Sequence, residues 1–293
     1  MKTDFEQVKF RNSKYPGTAF EVLPLEEVLH RNDMDHNHLA LHRIEFYVMI
    51  LITEGSGEHT IDFRQYPYRK GTILTIRKDQ LHSFHLSEAK GHMLMFTEEF
   101  VLSFLDETGA RKVREVFNEL LLPQASELMP ELYSECMVLL GQIANEFNHH
   151  ADEHSTGIVR NLLQVLITKI HRSRDQKLAA SDHKYMHQFL ELQSLIEKHC
   201  KQSRSVKFYA DKLHVTSKTL NNITKEIVKK TAKALIDEIL MLQIKRQLIN
   251  TNLTIKEIAY LKGFDEPTNF FKFFKRFSKH TPELFREKYS TGS

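Results

Sequence analysis

Cysteine is scarce: Cys136 and Cys200 are the only two in 293 residues. Two make no disulfide framework, and they match no zinc motif. Long apolar runs are missing as well. The longest, Phe46 to Ile52, is far short of the ~20 residues that span a bilayer, so no membrane partner is expected. Residues 1–15 are polar and carry acids, unlike a secretory signal. A cytoplasmic location is the resulting expectation. The rest is the composition of an ordinary globular protein, long enough for about two domains with a core in each.

The net charge of +3 hides an asymmetry. Residues 183–293 hold 21 Lys and Arg against 11 Asp and Glu, a net of +10, whereas 1–182 hold 20 against 27, a net of −7. A basic half joined to an acidic one is the pattern expected when one half meets a polyanion. A solvated Lys-rich surface is the plainer reading of the charge alone.

The hydrophobic period changes along the chain. From about 39 to 96, short β-rich runs are broken by turns. EFYVMILITEG (45–55) reads as a buried strand ending at Gly55. GEHTIDFRQYPYRKGTILTI (57–76) alternates, with His59, Ile61 and Phe63 expected on one side. Short strands at close spacing suggest a small sandwich or barrel. After about 98 the spacing becomes helical. SRDQKLAASDHK (173–184) is polar and aperiodic and reads as a linker. From about 187 onward everything reads as helix.

Within the basic half, VKFYADKLHVTSKTLNNITKEI (206–227) contains a short amphipathic helix at 206–213, a turn at 214–216 and a second helix at 217–227, with Thr216 as its N-cap. That is a helix-turn-helix layout, in which the second helix enters the major groove. The layout recurs in TIKEIAYLKGFDEPTNFFKFFKRF (254–277). Here Gly263 lies at the turn, Asp265 is read as the cap, and Pro267 stands in the first turn, where its missing N–H costs nothing. Leu220 and Phe270 hold matching places fifty residues apart. Phe264, Phe270, Phe273, Phe274 and Phe277 are expected to form most of a small core. Lys262, Lys272, Lys275, Arg276 and Lys279 lie beside it, where phosphates could come. A long helix at 232–251 connects the units.

These stretches resemble the DNA-binding domain of the AraC/XylS family of transcription regulators. The resemblance rests on ADKLHVTSKTL and on Glu257-Ile258-Ala259, Gly263-Phe264, Phe270 to Phe277, Thr281-Pro282 and Arg286. It implies two recognition helices in adjacent major-groove segments of double-stranded DNA. By position the base-edge readers would be Ser217, Lys218, Asn221 and Asn222, then Thr268, Phe271 and Lys272, with Pro267 contributing shape. Lys225, Lys229, Lys230, Lys275, Arg276 and Lys279 would meet phosphates. One departure is Lys279, where the family commonly has Gly. A left-handed cap there would be strained, so a different helix end is expected.

Residues 41–84 similarly resemble the family's cupin-like sensor domain, through the Gly55-x-Gly57 and Gly71 turns and Asp79-Gln80-Leu81-His82. The half holds His36, His38, His42, His59, His82, His85 and His92, yet a cupin metal site does not follow. Aligned by the strand, His42 takes the first ligand place, but Ile44 and Val48 stand at the second His and the acid, and neither can donate to a metal. His36-x-His38 precedes the strand with no acid at the right distance. No metal or cofactor is expected. The interior reads instead as a mostly apolar pocket for a small-molecule effector, with His42, Phe46, Tyr47, Phe63, His82 and Phe84 as lining candidates.

The expected architecture is α+β: an arm (1–20), a cupin-like barrel or sandwich (21–98), a helical dimerisation region (99–174), a linker (175–186) and an all-α double helix-turn-helix domain (187–293). The stripe of Leu162, Leu163, Leu166, Ile167 and Ile170 fits either a homodimer contact or packing on the barrel. The expected function is sequence-specific transcription regulation, not catalysis, with RNA polymerase as a partner if the protein activates. The rivals are a metal-dependent cupin enzyme with a DNA-binding appendage and a regulator that needs no ligand.

Overall fold

The computed structural model describes residues 7–12, 15, 17–30, 37–149, 152–175 and 180–290. The chain forms two compact units, 6–177 and 178–293.

In the first unit, strands β1 (Gln7–Val8) and β2 (Phe20–Pro24) lead into a short helix, α1 (Leu25–Leu29). Seven strands follow: β3 (His42–Ile44), β4 (Tyr47–Glu54), β5 (Ser56–Ile61), β6 (Arg64–Arg69), β7 (Thr72–Ile76), β8 (Leu81–Phe84) and β9 (Lys90–Phe96). Helices α2 (Glu98–Leu102) and α3 (Glu107–Val116), strand β10 (Ala125–Glu127) and two long helices, α4 (Pro130–His149) and α5 (Ser155–Asp175), complete the unit. The strands sort into two five-stranded sheets, β1-β3-β8-β5-β6 and β10-β7-β4-β9-β2. Pairing is antiparallel except between β1 and β3.

Strand β4 shows how the layers stack. Its sequence YVMILITE does not alternate, and its first six residues are all buried. Val48, Ile50 and Ile52 share a core with Ile44, Ile61 and Phe84 of the other sheet. Tyr47, Met49 and Leu51 share a second core with Val113, Phe117, Leu140 and Leu163 of the helical layer. A strand dry on both faces needs no polar alternation. By contrast, β6 (RQYPYR) buries only Tyr68, and Pro67 is tolerated because β6 lies at a sheet edge. The α5 stripe belongs to the second core: Leu163, Leu166, Ile167 and Ile170 are buried in it and Leu162 packs against it. These side chains are spent within their own unit.

The second unit is helical: α6 (Ala180–His199), α7 (Val206–Lys212), α8 (Ser217–Val228), α9 (Ala232–Asn250), α10 (Ile255–Leu261), α11 (Pro267–Phe277) and α12 (Pro282–Ser290). Helix therefore occupies 180–186 of the segment read as linker, and 176–179 lie outside the described residues. Polarity misled there, because the Ala that opens α6 is the best helix former. Of the expected arm, residues 7–8 instead pair with β3 as β1, while 1–6, 13, 14 and 16 lie outside the described residues.

Candidate nucleic-acid interface and sensor interior

The helices of both helix-turn-helix units are set by local signals. At α8, Thr216 accepts from the backbone N–H of Thr219 at 3.0 Å. The turn before it passes through His214 at φ 53°. In the second unit, Thr254 and Glu257 form a reciprocal capping box at the start of α10. These hydrogen bonds hold the Glu257 carboxyl below its usual range. Gly263 turns the chain at φ 73°, and a Cβ there would stand 2.2 Å from the Lys201 carbonyl oxygen, so only glycine fits. Pro267 opens α11, but its N-cap is Glu266 rather than Asp265, and no side chain caps that end. Arg286 anchors α12 by donating to the carbonyls of Leu248 at 2.8 Å and Leu253 at 2.7 Å.

Buried residues match across the two units at an offset of fifty: Leu220 with Phe270, Ile223 with Phe273, and Thr224 with Phe274. Phe264 joins this core edge-on to Phe270, with centroids 5.3 Å apart, and Phe285 closes it from α12. Phe277, expected inside, is 38% exposed and packs at a tilt against Phe273, with centroids 5.0 Å apart. The outward faces match at the same offset. Lys218, Asn222, Lys225 and Lys229 are exposed on the first, and Thr268, Lys272, Lys275 and Lys279 on the second. Spacings of four and three residues keep Lys218, Asn222 and Lys225 on one side of α8, and Thr268, Lys272 and Lys275 on one side of α11; Lys229 and Lys279 lie just past the helix ends. Ser217 and Phe271 are exposed beside these rows, while Pro267 is half-buried.

Other candidates are held by groups of the protein itself. Asn221 is half-buried. Its Nδ2 donates to the Ser217 carbonyl and its Oδ1 accepts from the N–H of Ala232, both at 3.0 Å. The amide thus ties α8 to the first N–H of α9. Arg276 donates to Asp237 at 2.7 Å, and Lys230 to Glu238. Lys229 closes α8 in the left-handed conformation at φ 57°. At the corresponding place Lys279 avoids it, because α11 ends in an extended Ser278. Lys262 is half-buried, 3.3 Å from Gln243 Oε1, and burial lowers its pKa.

The sheets of the first unit face each other across an interior that gathers some of the side chains expected to line a pocket. His42 pairs with His82, and His59 with Phe84, in register. All four point inward with Ile44 and Ile61, and all are buried. His59 Nε2 lies 3.1 Å from His82 Nδ1, and the His42 and His82 rings are 4.2 Å apart. His42 donates Nδ1–H to the Ala40 carbonyl at 3.0 Å. Burial, with His42 and His85 nearby, pushes the His59 imidazole down to about 3. Phe46 belongs to the same core, edge-on to Phe10 at 5.5 Å.

Two pocket candidates lie elsewhere. Tyr47 faces the helical layer and meets Phe117 at 4.8 Å, because one residue along a strand reverses the face. Phe63 is the second residue of the two-residue β5–β6 turn, whose Asp62 and Phe63 have φ of 46° and 68° as a type I′ hairpin requires. His59, not among the expected lining residues, lies beside His82 in this interior; its alternation with Ile61 was the available signal. His38 is buried, 3.3 Å from the Leu29 carbonyl, and His36 lies outside the described residues. Among the described residues no three His, Cys, Asp or Glu side chains form a group that could hold a metal ion.

A two-sheet domain followed by a basic helical domain with two helix-turn-helix units is the make-up of a DNA-binding transcription regulator. The AraC-like ligand binding domain family matches residues 23–163, and a helix-turn-helix domain family matches 209–288. The transcriptional activator RhaS of Citrobacter koseri is 21% identical over 256 residues, covering 84% of this chain and 87% of that one. RhaS of Yersinia pestis is 20% identical over 252 residues, covering 84% and 89%. The solved structure of ToxT from Vibrio cholerae aligns with a TM-score of 0.45 at 15% identity, covering 93% of this chain and all of that one. The chain belongs to the AraC family of transcription regulators, with an N-terminal ligand-binding domain and a C-terminal DNA-binding domain.

Proposed function

We propose that the protein reads two adjacent major-groove segments through the exposed rows of α8 and α11. Ser217, Lys218 and Asn222 on the first helix, and Thr268, Phe271 and Lys272 on the second, reach base edges. Lys225, Lys229, Lys275 and Lys279 hold phosphates. The observation that carries this reading is the repetition of one exposed row at an offset of fifty residues, on helices whose inner faces also repeat. Lysine suits guanine, asparagine suits adenine, and an exposed phenyl ring suits a thymine methyl group.

The first unit senses a small molecule between its sheets, at His42, His59, His82 and Phe84, and shifts the protein between DNA-binding states by its differential affinity for them. The protein works in the cytoplasm as a homodimer and contacts RNA polymerase when it activates. With the α5 stripe buried, a dimer contact on this layer would use the exposed Val138 and Val165, each about one turn from the Glu135–Lys169 ion pair. A regulatory rather than catalytic role agrees with relatives that are transcriptional activators.

The test is selection of bound duplexes from a random pool by the full-length chain at physiological salt. Two short motifs about one helical turn apart are expected. Enrichment of a single motif would reduce the second unit to backbone binding, and enrichment of none by a folded protein would overturn the reading for the ligand-free state.

A further inference from the structure

One buried carboxylate has no part in reading bases. Asp237, in the second turn of α9, is 3% exposed. Its Oδ2 accepts from Arg276 Nη2 of α11 at 2.7 Å, and its Oδ1 accepts from Lys233 one turn earlier in α9. Both cations remain largely in solvent, with side chains 59% and 51% exposed. A buried carboxylate left alone is strongly disfavoured, so the two cations are drawn to it. Together the three groups carry one net positive charge, displayed outward.

The arrangement fixes Arg276 on two sides. One bond to Asp237 leaves other guanidinium N–H donors available. Its ring-facing side lies 4.6 Å from the centroid of Phe277 and 5.4 Å from that of Phe273. That explains the exposed place of Phe277, which serves as a stacking surface. The trio also stands where the two reading helices meet α9. Asn221 ties α8 to the first residue of α9, and Asp237 ties α11 to a point five residues further along the same helix.

We propose that Lys233 and Arg276, mounted on Asp237, form a phosphate clamp that grips the DNA backbone between the segments read by α8 and α11. The inference rests on the reading that α11 faces DNA. Arg276 is a phosphate ligand whose geometry is set from behind. Asp237 touches no DNA and is a positioning residue. Lys233 supplies the second charge.

The test uses the full-length chain with a random-sequence duplex and the duplex enriched by selection, titrated over a range of salt. Arg276→Gln and Lys233→Gln should each weaken both duplexes by about tenfold at physiological salt and flatten the salt slope by about one. Asp237→Asn discriminates. Removing an acid beside a polyanion should tighten binding if only net charge matters, whereas loss of the mount should weaken it. In the Lys233→Gln/Arg276→Gln background the same change should have no further effect. Asp237→Asn binding as tightly as the parent, or losing equally in both backgrounds, would overturn the clamp. Should Asp237→Asn fail to fold, Arg276→Lys keeps the charge but not the fork, and parental binding by that variant would overturn it equally. Lys272→Ala separates the two ideas. If it binds every duplex as the parent does, the placement of α11 on DNA has failed and the clamp with it. If it weakens binding while Asp237→Asn does not, only the clamp has failed.

Discussion

Replacing Asn221 with alanine removes the acceptor for the first N–H of α9 and the donor to Ser217. Loss of a cap of this kind costs about 1 kcal/mol. Asn221→Ala should therefore lower the stability of the helical domain by about that amount in a denaturant melt and weaken DNA binding evenly at all base positions. Unchanged stability with loss at one base position would return the residue to the readers. Gly263→Ala should be harsher. The left-handed backbone costs about 1–2 kcal/mol for any other residue, and the new Cβ would meet the Lys201 carbonyl. A loss of roughly 2–5 kcal/mol by the same measurement is expected. A loss below about 1 kcal/mol would mean that the turn relaxes freely.

At the scale of elements, what was legible followed from what the signal encodes. Helical period and capping residues placed α7 to α11 within a few residues, because period and caps are local. Which side of an element is covered depends on the layers around it. That is why Tyr47 turned out to face the helices rather than the sensor interior, and why the Leu163 to Ile170 stripe left two readings open. Asn221 and Arg276 lie on the outer side of their helices by spacing alone, and only the third dimension brings Ala232 and Asp237 within their reach. With α5 seated on its own sheet, Leu163→Ala should destabilise the first unit by about 2–5 kcal/mol and leave the association state unchanged. Sedimentation and denaturant melts check both. Dissociation of a dimer at unchanged stability would assign the stripe to a subunit contact.

For the whole molecule, acidity should act first on the two-sheet unit. Burial holds His59 neutral down to about pH 3, far below its ordinary value of 6.5. The unfolded chain therefore binds a proton that the folded one refuses. The contribution of His59 is complete above about pH 6.5 and is lost as pH falls toward 3, by up to about 1.4 kcal/mol per unit. Denaturant melts of the full chain between pH 7 and 4.5 should show this slope in the first transition, and His59→Leu should reduce it by about one proton. An identical slope in the variant would place the acid sensitivity elsewhere.

The double burial of β4 has a mechanical side. Val48, Ile50 and Ile52 project into the space between the sheets, while Met49 and Leu51, their immediate neighbours, are the floor on which α4 and α5 stand. The strand is a diaphragm one residue thick, with the space between the sheets on one side and the helical layer on the other. Dense packing on both sides leaves no slack to absorb a displacement. Whatever pushes the sheets apart also lifts that floor, because the two compartments share one wall.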